Sequence, residues 1–359
     1  MSLRFKTGLA GLAGRALVST AMLLGVSAMA QADGINVLTW EGYTDPSFAD
    51  AFTEQTGCTI TSTFVGSNDE IIAKVAAGGG GFDMVSPAIN YAQIMVGLGA
   101  LEPLDQSRLE HLQEMSDSFL THPGVIDADG QAWTVPMAWG SIPLLYRTDK
   151  FDTPPTSATV LWDPAYAGKI ATQDVSMTIF MAARILYGPD VDVYNLSDEQ
   201  LEEIKQKLIE QKPLLRTYWS TGGDLINLYA NDEVWVSETW GGYQVAELQA
   251  QGIPVAEVIP VEKADGWQDV WAIVKGTPNM DCAYEWLNYV SGPEGQCGMV
   301  KAVGYSPANA VAVQECLTDE EIAGLHLDDP EYIESLDFWQ LQPRLDKYIE
   351  TWNAVKAAN

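Results

Sequence analysis

Two hydrophobic periods alternate along this chain. Ile35 to Trp40 reads as a strand; Thr44, as an N-cap, and Pro46, in a first turn, then open a helical stretch that Gly57 stops before a second strand, Thr59 to Phe64. A further helix starts after Ser67-Asn68, runs through Ile71, Ile72 and Val75, and ends in Gly78 to Gly81, ahead of a short apolar strand from Asp83 to Ser86. Strands alternating with helices predict an α/β domain. The glycine run lacks the GxxxxGK[ST] pattern of a phosphate loop and reads as a helix terminator.

The pattern loosens between Asp149 and Ala167, where Pro154-Pro155, Pro164 and scattered Thr follow the strand-like Leu144-Leu145-Tyr146. A second lobe is expected to begin there. Ser197 and Gln200 form a capping box for an amphipathic helix from about Asp198 to Gln211, with Leu201, Ile204, Leu208 and Ile209 on one face. Glu233 to Ser237 and Asp269 to Val274 read as strands, whereas Cys282 to Val290 and Leu345 to Ala357 read as helices.

The first thirty residues follow a different logic. Arg4, Lys6 and Arg15 precede a mostly apolar stretch, Ala16 to Ala30, that closes on Ala28-Met29-Ala30. This is the pattern of a secretory signal peptide, with cleavage expected after Ala30, or after Ala32 as the second choice. The apolar stretch falls short of the roughly 20 residues needed to span a bilayer. Export to a periplasm is the expected destination, and it makes disulfides chemically possible. Cys58, Cys282, Cys297 and Cys316 allow three complete pairings that spacing does not separate. One bridge among the three C-terminal cysteines is expected, with Cys58 as a buried strand residue.

Charge excludes one class of partner. The 359 residues carry 19 Lys and Arg against 49 Asp and Glu, a net charge of −30, and loss of residues 1–30 removes three cations and no anions to leave −33. Such a field repels phosphate backbones, so no nucleic-acid partner is expected, and it favours cations. Much of the acidity is expected to be a solvated surface. Enzymatic chemistry has little footing either: His111, His122 and His326 are the only imidazoles, and GxSxG and HExxH are both absent. Asp281 and the Asp319-Glu320 pair read as helix N-terminal charges. No metal or cofactor is expected.

Three runs set aromatic rings beside carboxylates: Trp40-Glu41-Gly42-Tyr43, Glu238-Thr239-Trp240-Gly241-Gly242-Tyr243 and Gly266-Trp267-Gln268-Asp269. That pairing suits an alkyl ammonium, because rings cover methylenes and offer cation–π attraction while a carboxylate balances the buried charge. Together with Phe82-Asp83-Met84-Val85-Ser86-Pro87, Val135-Pro136-Met137-Ala138-Trp139-Gly140 and Gly304-Tyr305-Ser306-Pro307-Ala308-Asn309, these runs resemble the spermidine/putrescine-binding proteins of bacterial ABC transporters. The resemblance covers essentially the whole mature chain.

It implies a type II periplasmic binding protein: two α/β lobes, joined by hinge crossovers near Ala138 and Asp269, that close on a small cationic solute and deliver it to a membrane permease. The implied lobes are residues 34–138 with 268–313, and 139–267 with 314–359. A monomer is expected. The resemblance further implies aromatic walls from Trp40, Tyr43, Trp240, Trp267 and Tyr305, an ammonium partner in Asp269, a second-lobe acid in Asp174 and a polar contact from Gln340. Trp219 is added as a second-lobe contact.

The chain also departs from the family. Met177 stands where a second acid would follow Asp174, Ala88 replaces a hydroxyl residue, and Asn90 replaces a Tyr, although Tyr91 follows. Glu41 occupies a position usually held by a small hydroxyl residue. One carboxylate has been lost and another gained, so the solute need not be spermidine. Glu54-Gln55-Thr56-Gly57-Cys58, Arg216-Thr217-Tyr218-Trp219 and Cys282-Ala283-Tyr284-Glu285-Trp286 resemble a divergent branch of the same family. Alternatives are a zwitterion or quaternary amine on the same fold, a periplasmic enzyme acting on an amine, or an interaction protein.

Overall fold

The computed structural model describes residues 34–76, 81–314 and 316–358. The expected signal peptide lies outside the described residues, as do three of the four glycines of the Gly78–Gly81 run.

Twelve strands are present among the described residues. In chain order they are β1 (Gly34–Thr39), β2 (Thr59–Phe64), β3 (Met84–Val85), β4 (Thr134–Ile142), β5 (Leu144–Arg147) and β6 (Ile170–Gln173). There follow β7 (Leu215–Trp219), β8 (Val236–Glu238), β9 (Val255–Val258), β10 (Ala264–Ile273), β11 (Ser306–Pro307) and β12 (Leu336–Phe338). They form two sheets. One runs β11-β4-β10-β3-β1-β2 with β12 added against β10, and the other runs β7-β6-β8-β5-β9.

The sheets share one plan. In each, a strand flanked by two parallel neighbours (β1 between β2 and β3, β6 between β7 and β8) is followed by two antiparallel strands, β10 and β4 in the first sheet and β5 and β9 in the second. The strand in fourth place is in each case the one arriving from the other lobe. This is the two-lobed α/β fold of a periplasmic binding protein, as the sequence led us to expect.

The crossovers lie at different places from those expected. The chain changes sheet at Pro143, between β4 and β5, and again between Val258 and Ala264, so the expected boundaries at 138/139 and 267/268 fall inside β4 and β10. Nor does it leave the first lobe at 313. Leu317 and Leu336 are buried in the first lobe's core, and β12 pairs in parallel with Ala264–Gly266. The C-terminal helix Leu345–Ala357 then packs through Tyr348, Trp352 and Val355 into the second lobe, beside Leu201, Ile204 and Leu208 of the capped helix Asp198–Gln211.

Local sequence signals account for most element ends. The capping box at Ser197 and Gln200 forms as expected, and Gly57 ends the first helix with φ 76°, a left-handed conformation in which a side chain would be strained. The cap of that helix is Asp45 rather than Thr44: the Asp45 carboxylate accepts from the Ser47 amide at 2.9 Å, while the Thr44 hydroxyl bonds Ser62. The expected strand at Glu233 begins only at Val236, because Asp232 takes φ 56° and the Glu233 amide folds back to the Leu228 carbonyl. Expected from Asp269, β10 starts five residues earlier at Ala264, which pairs with β12, and its pairing with β4 begins at Asp265.

Cys58 is a correction. It lies just before β2 and is disulfide-bonded to Cys282 rather than free, while Cys297 and Cys316 form the bridge expected in the C-terminal part. The Cys58–Cys282 bond ties positions 224 residues apart beside an aromatic cluster in which the Phe52 and Trp271 rings each meet Trp286 edge-on. Closing so long a loop removes much denatured-chain entropy. Replacing both Cys58 and Cys282 by Ser should therefore lower stability by about 2–5 kcal/mol, read as a lower midpoint in thermal denaturation. The Cys297→Ser, Cys316→Ser pair, spanning 19 residues, should lose less.

Candidate ligand-binding site

Both sheets direct the carboxyl ends of their parallel strands at the same cleft, the place where open α/β sheets bind ligands. Trp40 follows β1, Ser67 and Asn68 follow β2, Gln173 ends β6, and Trp240 follows β8 by two residues. Trp267 and Asp269 come from the crossover strand β10, two residues apart and hence on one face, with a bulge immediately after Asp269. These side chains, with Tyr43, Val175, Met177, Tyr305 and Trp339, enclose about 480 Å3 of space partly open to solvent.

Each ring is held by a specific contact. The Trp40 indole N–H donates to the Ser86 carbonyl at 2.7 Å, and the Trp267 indole N–H donates to the Ser141 carbonyl at 3.2 Å. Trp267 also lies flush against Gly140, where an added Cβ would stand 2.5 Å from the ring. Two edge-to-face series follow: Trp219 to Trp240 to Trp40, at 5.2 and 5.7 Å between centroids, and Trp267 to Tyr305 to Tyr43, at 4.7 and 6.2 Å. Held this way, the rings lose little further freedom on meeting a ligand.

Asp269 supplies the charge. Its side chain is only 7% exposed, and among the described residues its one hydrogen bond from a side chain comes from the Tyr43 hydroxyl, which donates to Oδ2 at 2.7 Å. Burial raises its pKa to about 7, offset in part by that hydrogen bond, and the same burial pushes the Tyr43 and Tyr305 phenols up. No Lys or Arg lines the cavity among the described residues. A group carrying positive charge and apolar surface fits such a lining; an anion would meet Asp269 unscreened.

Six of the eleven residues singled out in the sequence meet here: Trp40, Tyr43, Trp240, Trp267, Asp269 and Tyr305. The other five do not line the cavity. Asp174 is turned away, its carboxylate accepting from the Trp352 indole at 3.0 Å and from Lys356 at 2.8 Å. Tyr91 is buried beneath the cavity with its hydroxyl on Asp69 at 3.3 Å. Trp219 is a core residue of the second lobe that supports Trp240 from behind. Gln340 is exposed, and its backbone carbonyl accepts from Asn90; the neighbouring Trp339 reaches the cavity instead. Of the remaining wall residues, Met177 was noted in the sequence only as a missing acid, while Ser67, Asn68, Gln173 and Val175 carried no signal for the site.

Glu41 has a different place. Its carboxylate reaches across to the second lobe and accepts from the Gly223 amide at 2.9 Å, in the first turn of the helix Gly222–Ala230. A carboxylate at a helix N-terminus is favoured by the peptide dipoles and by the free N–H groups there. The backbones are close on both sides of this contact: a Cβ on Gly66 would stand 2.0 Å from the Ser220 carbonyl oxygen, and one on Gly242 would stand 2.5 Å from the Gly304 carbonyl oxygen. The lobes are thus closed on each other, with Glu41 as a clasp.

Comparison with known proteins agrees with this architecture. The bacterial extracellular solute-binding protein family matches residues 47–329. A curated relative, the spermidine/putrescine-binding periplasmic protein 1 of Haemophilus influenzae, is 26% identical over 337 residues, covering 91% of this chain and 89% of its own. Among solved structures, a putative spermidine/putrescine ABC transporter protein from Listeria monocytogenes superimposes with TM-score 0.78 at 22% identity, covering 90% of this chain and 99% of that one. The PBP MotA from A. tumefaciens, solved in complex with glucopine, gives TM-score 0.76 at 22% identity over the same shares of the two chains.

Whatever solute occupies the cleft, Glu41→Ala should speed its release about three- to tenfold, because the variant loses the clasp that favours the closed lobes. Stopped-flow tryptophan fluorescence would read that rate, and an unchanged rate would show that the clasp does not contribute to closure.

Proposed function

Because the chain belongs to the family of bacterial extracellular solute-binding proteins, and is by that membership a carrier of solute rather than an enzyme, we propose that it captures a polyamine or a related small organic cation and delivers it to the permease of an ABC importer. The observation that carries this reading is Asp269: a carboxylate 7% exposed, bonded by one phenol and surrounded by Trp40, Trp240, Trp267 and Tyr305. An ammonium group beside it would supply the missing charge, and the rings would cover the attached methylenes. The names of its curated relatives, among them a putrescine/cadaverine-binding protein of Pseudomonas aeruginosa, support the same ligand class.

A periplasmic location is part of the proposal. It is supported by the periplasmic relatives, by the signal-peptide pattern of residues 1–30 and by the two disulfides, which persist in oxidising compartments. No helix among the described residues is long and apolar enough to cross a membrane. Delivery to the permease would follow from opening of the clasped lobes at the membrane.

The amine reading makes its own pH dependence. Aliphatic ammonium groups stay protonated well above neutrality, so between pH 6 and 8 the titrating partner is Asp269, with a pKa of about 7. Only the ionised carboxylate pairs the ligand, and its ionised fraction rises from about a tenth to about nine tenths over that range. Ionisation of Asp269 alone should accordingly raise affinity for an amine about tenfold from pH 6 to pH 8, with proton release near pH 7 detected by calorimetry in buffers of different ionisation enthalpy.

Asp269→Asn should weaken diamine binding by at least about a hundredfold and remove the part of the pH dependence that comes from this carboxyl. It should not impair folding. A carboxyl whose folded pKa lies above its unfolded value costs stability as pH rises from about 4 through about 7. The variant's unliganded unfolding midpoint at pH 8 should therefore equal or exceed that of the wild type. Unchanged diamine affinity in the folded variant would remove Asp269 from the site.

A further inference from the structure

We propose that Glu238 forms a second cation subsite, in an annex off the main cavity, so that the cleft selects linear diamines over monoamines. This rests on the amine reading above and deepens it. The annex is bounded by Glu238 and Asp265 at its inner end, and it shares Gln173, Val175, Met177 and Trp339 with the main cavity. The two spaces are therefore neighbours that share four wall residues. Val175, Met177 and Trp339 give the shared wall an apolar surface suited to a chain of methylenes.

Glu238 is the last residue of β8, where its backbone pairs with Leu144 of β5. Its side chain is 6% exposed and has no ion-pair partner and no side chain hydrogen-bonded to it among the described residues. Burial and the nearby Asp265 raise its pKa to about 7, with the Gln173 backbone amide and the Arg184 charge acting the other way. The other acid of the annex is already matched. Arg184, wholly buried, donates from Nη2 to Asp265 at 2.6 Å and to Asp337 at 2.9 Å. One guanidinium thus serves two carboxylates, and Glu238 is a third with no cation of its own.

A buried carboxylate in that position is costly without a positive partner, and the space it lines adjoins Asp269's cavity. A molecule with ammonium groups at both ends of a flexible chain satisfies Asp269 with one and Glu238 with the other. Met177 stands on the annex wall where the resemblance would place an acid. Glu238 restores a negative charge to that wall from a different strand, which changes the direction the ligand chain takes rather than the number of charges it meets.

Calorimetry with 1,4-diaminobutane and 1-aminobutane, ligands of equal carbon count and different charge, tests this. The wild type should prefer the diamine. Glu238→Gln should weaken the diamine by at least about thirtyfold and leave the monoamine within about twofold, with an unfolding midpoint no lower than that of the wild type. Glu238→Met, which mimics the neighbouring apolar wall, should do the same if the Gln variant folds poorly. Diamine affinity unchanged in either folded variant overturns the assignment, as does equal loss for both amines, which would mark Glu238 as a residue that merely shapes the cavity. Failure of the wild type to bind either amine would instead overturn the amine reading, and this assignment with it.

Discussion

A carboxylate taken out of water must find a positive partner or give up its charge, and the architecture around Asp269 turns on that constraint. Asp269 is buried by aromatic rings rather than by a basic side chain, with the Tyr43 hydroxyl at 2.7 Å as its sole side-chain donor among the described residues. The lining rings are themselves fixed, Trp40 by the Ser86 carbonyl and Trp267 by the Ser141 carbonyl and the bare backbone of Gly140. Rigid walls keep water from relaxing around the carboxyl, which is why its pKa is high and why a cation placed there is strongly favoured. Binding and the instability of the unfilled charge are two aspects of one arrangement.

The strand that carries Asp269 also joins the lobes. β10 enters from the second lobe at Ala264, and Asp265, Trp267 and Asp269 fall on one face of it at successive odd positions. Asp265 is paired with Arg184, which belongs to a second-lobe helix, while Trp267 and Asp269 line the cavity. The cavity-lining residues and the buried ion pair of the hinge region therefore share a backbone. A change in lobe angle moves the start of β10 relative to its end, which gives closure a direct mechanical connection to the aromatic walls. Across the cleft mouth, Glu41 on the Gly223 amide favours the closed arrangement without touching the cavity.

Much of the fold was legible because its signals are local. Gly57, the Ser197–Gln200 capping box and the apolar period of Leu345–Ala357 act within a turn or two of chain, and the corresponding elements form as read. The lobe boundaries were less legible, since β4 and β10 run on through the expected hinge positions and their length is set by pairing with each other. The aromatic half of the site was readable from Trp and Tyr beside turns. Its acids were not. Asp174 and Glu238 look alike as letters, yet one is consumed by Lys356 and Trp352 from the C-terminal helix and the other is left facing an annex.

By itself, the sequence determined an α/β alternation, a strongly acidic composition, and rings beside carboxylates in three runs. Those properties follow from composition and short-range order, which any conformation of the chain carries. Only the tertiary structure decided which carboxylates are free to meet a cation, that Cys58 reaches Cys282 across 224 residues, and that Glu41 closes the lobes rather than lining the cavity. The reason is that burial and partnership belong to pairs of residues distant in sequence. Whether a charge is satisfied depends on what the rest of the fold places within about 3 Å of it.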